Sequence, residues 1–436
     1  MANKSNDESK IWPVIRVASG NFLEAYDFQV FGYYAVAIAR TFFPGENQFA
    51  SLMLTFATFG AGFLMRPLGA IVLGAYLDHH GRRKGLLLTL SLMAVGTFSI
   101  ACTPGYATLG LLAPLLVLVG RLLQGLSAGV ELGGVSVYLS EIATPGHKGF
   151  YVSWQSASQQ IAVMFAALLG LILSANLSVG DMTRWGWRIP LLIGCLIIPL
   201  VFAIRRSLEE TAEFRSRTHR PSMTQIVRTV AANWRLVILG TMTATVVTVC
   251  FYMITAYTPT FGTSVLHLTA AGSLLVTLLV GASNFIWVPV MGSLSDKVGR
   301  RPLLIIFTTL TILTAYPALM WLDSAPSLPR LLMVELWLSC MFGSCSGAMV
   351  PFITEIMPRE VRASGFSLAF SLATAVFGGF TPAICTYLIH ITGNRAMPGA
   401  WLSAAAACSL ISTLLLSRSR LASWNTPAGV EAPATM

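Results

Sequence analysis

Twelve stretches of this chain are each apolar over roughly the length a bilayer demands, and that feature decides most of what it can fold into. They cover residues 14–39, 49–76, 85–103, 110–139, 150–175, 186–204, 235–259, 270–294, 303–322, 330–356, 364–389 and 400–416. A helix of about 20 mostly apolar residues crosses a hydrocarbon core roughly 30 Å thick. Charge points the same way. Only 11% of the 436 residues are charged, against about 25% in soluble domains. That is too few to coat the two or three domains a soluble chain of this length would form. Mean hydropathy is +0.71. A soluble enzyme, a disordered chain and a nucleic-acid binder are disfavoured, although the net charge is +10. The expected fold is an all-α polytopic membrane protein.

The placement of the basic residues sets an orientation. With the N-terminus cytoplasmic, 21 of the 28 Lys and Arg residues fall in cytoplasmic tails, loops or helix ends. Only Arg40, Arg184, Arg188, Arg330 and Arg395 fall on the other side, while Arg66 and Arg121 lie inside spans. The basic excess is thus a topology signal. The segment from Arg205 to Asn233 is polar, contains Pro221 and lies near the middle of the chain. We therefore expect a six-helix bundle over 1–204, a cytoplasmic linker over 205–233, a second six-helix bundle over 234–420 and a cytoplasmic tail over 421–436. The expected location is a bacterial inner membrane with both termini cytoplasmic.

The two halves repeat. Gly74, Asp78, Gly81, Arg82 and Arg83 follow the second span; Gly292, Asp296, Gly299, Arg300 and Arg301 follow the eighth, each offset by 218 positions. Ser140-Glu141-Ile142 is echoed by Thr354-Glu355-Ile356. Parallel repeats of this kind put a substrate site near the midplane, between the halves.

The doubled G-xxx-D-xx-G-R-R loop and Arg121-xx-Gln124-Gly125-xxx-Gly129 resemble signatures of the major facilitator superfamily. Gly20-Asn21-xx-Glu24-xx-Asp27-Phe28 and Gly62-xxx-Arg66-Pro67-x-Gly69 resemble its metabolite:proton symporter branch. Segments 133–145, 153–160 and 364–374 are similar to bacterial citrate–proton symporters. The resemblance implies two bundles related by a pseudo-two-fold axis, rocking in alternating access. It also implies uptake of citrate or a close tricarboxylate, driven by a cation gradient. An osmolyte carrier for betaine or proline is the rival within the branch, and dicarboxylates remain open. A receptor or a channel is a different class. The first would bring a soluble signalling domain. The second would not need carboxylates and arginines buried on facing helices.

Ionisable groups inside a membrane are costly and mark function by default. Asn21, Glu24, Asp27 and Phe28 share one arc of the first span, with Asp27 near mid-depth. Arg121, Gln124 and Glu131 share a face of the fourth, and Arg121 is again near mid-depth. Its planar guanidinium matches a carboxylate, so it leads the candidates for an anionic substrate; pairing with Asp27 or Glu24 is the structural alternative, and the two can alternate. Asn21, Gln155, Ser158 and Gln159 are neutral candidate donors, or helix–helix contacts. Tyr252 and Asn284 are the midplane candidates in the second half, with Thr245 and Thr248 beside Tyr252. Arg66 could meet substrate, pair with Glu131 or reach the inner surface. Glu335 is expected near the outer interface, away from the site.

None of the six histidines is mid-membrane, so coupling falls to Asp27, Glu24 and Glu131, carboxyls that burial brings toward proton exchange. Asp78, Arg82, Asp296 and Arg300 read as gates, where an Asp beside a helix N-terminus and an arginine cluster latches helix pairs. The seven cysteines form no CxxC pair, so no metal site is expected, with sodium near Asp27 as the alternative coupling ion. No phosphate-binding G-x-x-x-x-G-K-[ST] loop occurs, and no cofactor is expected. The partners expected are a small organic anion, a proton and the bilayer, acting on a monomer.

Overall fold

The computed structural model describes residues 21–80, 82–129, 135–136, 138–140, 143–206, 228, 231–357 and 362–416. Among them run twelve long helices. These are α1 (21–42), α2 (Gln48–His80), α3 (Arg82–Cys102), α4 (Leu112–Ala128), α5 (Lys148–Asn176) and α6 (Arg188–Arg206). Then follow α7 (Trp234–Val265), α8 (Ala270–Val298), α9 (Arg300–Ser324), α10 (Leu328–Ile356), α11 (Ser364–Thr392) and α12 (Met397–Leu415). The expected spans match these within several residues. Apolar side chains on the outer faces, such as Leu196, Ile286 and Leu313, are exposed because lipid is their solvent.

Three boundaries differ from the sequence reading, each for a local reason. Span seven was expected to stop at Pro259, since a proline removes a helical N–H and clashes with the turn before it. Instead α7 continues to Val265 by widening into π turns at Met253–Tyr257 and Phe261–Val265 on either side of it. In α1, a turn at Tyr34 interrupts the helix. The fourth span is helical over Leu112–Ala128; residues 130–134 are outside the described set.

Burial separates central helices from peripheral ones. In α7 and α10, 78% and 83% of the apolar window is buried, against 33% in α9. Small residues bring the helices close, as is usual where lipid offers no hydrophobic drive. A Cβ on Gly125 of α4 would lie 1.6 Å from the Gly62 carbonyl oxygen of α2. Between the halves, a Cβ on Gly149 of α5 would lie 2.3 Å from the Gly292 oxygen of α8. Only glycine fits either crossing. Toward the opposite end the halves part around a vestibule of about 870 Å³, lined from both sides.

Candidate functional site

The polar face predicted for α1 is buried whole: Asn21, Glu24, Asp27 and Phe28 are all shut away from solvent, as is Gln29 beyond them. Two arginines converge on it. Arg66 Nη2 of α2 donates to Glu24 Oε1 at 2.6 Å, a partner outside the three roles expected for Arg66. Arg121 of α4 is fully buried but takes no such carboxylate. Among the described residues, no carboxylate oxygen lies within 4 Å of it. Its guanidinium instead stands over aromatic rings, 4.2 Å from the Phe28 centroid, 4.6 Å from Phe31 and 5.0 Å from Phe59. Arg66 stands 4.9 Å from the same Phe28 ring and 4.7 Å from Phe63. One phenyl ring therefore serves two cations. Each desolvated cation–π contact contributes up to about 2 kcal/mol, which helps hold the buried guanidinium of Arg121, for which the described residues supply no ion-paired carboxylate.

A hydrogen-bonded chain leads from Arg121 to Asp27. Arg121 Nη1 donates to Gln124 Oε1 at 2.9 Å. Gln124 Nε2 donates to Thr97 Oγ1 at 2.9 Å. Thr97 donates in turn to Asp27 Oδ2. Direct pairing of Arg121 with Asp27 or Glu24 was the structural alternative to substrate binding; the structure connects Arg121 to Asp27 through Gln124 and Thr97. Thr97 was missed altogether. One threonine in an apolar α3 carries no periodic signal, and its role shows only once α3 packs on α1 and α4.

The polar atoms left over are mostly donors. Among the described residues, Arg121 Nε and Nη2, Arg66 Nε and Gln155 Nε2 have no hydrogen-bond partner, against the acceptors Asp27 Oδ1 and Gln29 Oε1. A buried donor without a partner costs about 1–3 kcal/mol, more when charged. An oxyanion is the group that would relieve such a set.

The α5 candidates gather with Asn21 but bond to it. Asn21 Nδ2 donates to the Gln155 carbonyl at 2.9 Å and to Ser158 at 3.2 Å, and Gln159 Nε2 donates to Asn21 Oδ1 at 3.2 Å. Across the halves, Asn284 Nδ2 donates to Gln160 Oε1 at 3.2 Å and accepts from Ser339 at 2.7 Å. Asn284 is thus engaged in helix–helix bonding, with a glutamine the sequence reading passed over. Gln29 of α1 likewise reaches Thr255 of α7 at 3.1 Å. Thr245 and Thr248 bond their own preceding turns. Tyr252 crosses from α7 to the aromatic cluster, its ring 5.0 Å from Phe63 and 6.1 Å from Phe59. Glu335 departs from expectation. It lies in the eighth position of α10, toward the end as expected, but is buried at 4% exposure and accepts from Thr258 at 2.9 Å, because α10 is a central helix that packs there on the broken part of α7.

The second gate loop is resolved in detail. Asp296 accepts from the backbone N–H groups of Gly149 at 2.8 Å and Phe150 at 3.0 Å. It thereby caps the N-terminus of α5, a helix of the other half. Arg300 donates to Asp296 at 2.6 Å and to Glu355 at 3.4 Å. Glu131 and the side chains of Asp78 and Arg82 lie outside the described residues. Among the described residues no group of three His, Cys, Asp or Glu side chains could hold a metal.

Three likenesses bear on this arrangement. A family profile described as Major Facilitator Superfamily matches residues 17–369. A protein of Klebsiella pneumoniae named citrate-proton symporter is 61% identical over 410 residues, covering 94% of this chain and 92% of that one. One of the same name from Salmonella typhi is 60% identical over 403 residues, covering 92% and 93%. Among solved structures, a D-xylose-proton symporter superposes with a TM-score of 0.75 over 94% of this chain and 97% of that one, at 16% identity, a likeness of fold.

Proposed function

The chain belongs to the major facilitator superfamily, and on that premise we propose that it imports citrate or a similar tricarboxylate with protons, by alternating access, across a bacterial inner membrane. It is a multi-pass transporter and not an enzyme. The observation that carries the substrate class is the set of buried nitrogens on Arg121, Arg66 and Gln155 that have no partner among the described residues. A polycarboxylate supplies several acceptors at once, and guanidinium groups take carboxylates bidentately. The names of the two enterobacterial relatives favour citrate within that class.

Coupling follows from the chain of bonds. An arriving carboxylate draws on Arg121 and so perturbs Gln124, Thr97 and Asp27 in turn. Asp27 has one oxygen already engaged by Thr97 and one without a partner. It is the carboxyl to take up the transported proton as the substrate seats. Glu24 already holds Arg66, so a substrate carboxylate reaching Arg66 competes with it.

Both termini face the cytoplasm in this reading. The Asp296 cap on α5 then shuts the cytoplasmic face while the vestibule opens outward. Release inward requires that cap to break. Counterflow of labelled citrate in proteoliposomes tests the assignment. Accelerated exchange against internal citrate supports a carrier, and a current unsaturated by citrate overturns it. Accumulation driven by a sodium gradient at constant pH, and not by a pH step, would move Asp27 to a sodium site.

A further inference from the structure

The outward vestibule is itself charged in a way the central site does not require. Its lining includes Arg40 at the end of α1, His267 in the α7–α8 connection and His390 near the end of α11, and no carboxylate. The acidic residues of the flanking segments, Glu46 and Asp181, are outside that lining, and Asp181 is engaged by the Ser178 hydroxyl at 2.7 Å. Cationic and N–H-bearing groups therefore come from both halves onto one cavity of about 870 Å³, within the size of small-molecule pockets.

Three further observations converge there. His267 sits at φ 56°, the left-handed region, and is the sole such non-glycine residue among those described. A bulky residue held there is strained, and such strain collects at ligand sites and switches. The His390 ring stacks on Phe49, centroids 3.8 Å apart and planes 15° from parallel. That contact bridges the two halves at the rim. Deeper in, Tyr34 Oη and Thr260 Oγ1 of the lining are buried and have no hydrogen-bond partner among the described residues. Tyr34 is seven residues beyond Asp27 along α1, roughly 10 Å at 1.5 Å per residue. The first turns of α2 and α8 also border the cavity, and helix N-termini favour anions.

We propose that the vestibule is a second, weaker binding site for a small polycarboxylate anion, held by Arg40, His267 and His390 before it descends to Arg121. The proposal rests on the tricarboxylate reading of the central site. Its physical role is to concentrate a polyanion at the mouth, as clefts of one sign do, and to deliver it to a site too enclosed to recruit it directly.

The test uses the purified full chain with labelled citrate at low ionic strength. The comparison is between wild type, the triple variant Arg40→Gln/His267→Asn/His390→Gln, and Arg121→Lys. Asparagine is chosen at 267 because it tolerates positive φ. Wild type is expected to bind citrate in two classes. The triple variant should keep only the tight class, and Arg121→Lys only the weak one. In proteoliposomes the triple variant should raise KM about 3–10-fold at low salt, leave kcat in place and flatten the dependence of uptake on ionic strength. A single class in wild type, with the triple variant matching its KM and salt dependence, overturns the second site alone. A wild-type protein that binds no citrate in either class overturns the tricarboxylate reading and this proposal with it.

Discussion

The two halves share a gate motif but not a charge set. Arg82 and Arg300 recur at one offset, as do Asp78 and Asp296. Among the described residues the buried charged side chains do not recur. The first half buries Glu24, Asp27, Arg66 and Arg121; the second buries Glu335, and lines its interior with threonines, serines and Asn284. The repeat thus conserves the hinge chemistry and leaves the binding chemistry to one side. In the proposed function the first half holds the anion and the proton. The second supplies Tyr252 as a wall, the bendable α7 and the Asp296 cap.

The most severe test of that asymmetry is Arg121→Lys. A point charge cannot reproduce the fork over Phe28, so citrate affinity should fall about 10–100-fold, read by equilibrium binding on folded protein. Near-wild-type affinity would remove the first half's claim to the substrate. Next is Asp27→Asn, which fixes a neutral group at the end of the bonded chain. Accumulation against a pH step should vanish while exchange at equal pH persists. Intact accumulation would exclude Asp27. Thr97→Val then cuts the link between Arg121 and Asp27 without touching either charge. We expect the proton-to-citrate ratio to drop by about half with affinity changed less than about threefold, the size of one hydrogen bond or less. A tight ratio in Thr97→Val would show that the link is structural only.

On the other side of the comparison, Asp296→Asn should slow net transport several-fold while equilibrium binding stays within about twofold, since the cap acts between conformations. Asp78→Asn should do the same if the repeat is functional at both ends. A parallel loss of rate and binding would contradict a gating role for either. The smallest effect is expected from Glu335→Gln, with citrate KM within about twofold of wild type. A large effect there would break the asymmetry, because it would give the second half a working carboxyl.

Much of this was legible in the residues. Spans, repeat and the charged faces of α1 and α4 follow from hydropathy and helical spacing. Periodicity names a face, however, and not the helix that the face meets. Substrate, Glu131 and the inner surface were the roles open to Arg66 on those grounds; Glu24, none of these, became its partner only through the packing of α2 on α1. Thr97 and Gln160 are ordinary residues until α3 meets α4 and α5 meets α8. Counting from the end of its span gives the depth of Glu335 but not that α10 is wrapped on all sides there, so its burial against Thr258 was not foreseen. The run of α7 past Pro259 was hidden because π turns leave no residue pattern of their own.

The Asp296 latch grips main-chain N–H groups, and that shapes how the protein can diverge. The side chain at 150 can change without altering its N–H donor, so drift there leaves the shut state nearly untouched; proline at 150 would delete that donor, and 149 is held to glycine because a Cβ there would collide with the Gly292 carbonyl oxygen. Relatives that need a faster or slower cycle would have to retune the acceptor side, through Arg300 and Glu355. With the gating role proposed for Asp296, the dwell time of the closed face becomes a trait under the control of three charged residues in one half, and a copy of this carrier selected for speed should carry its changes there.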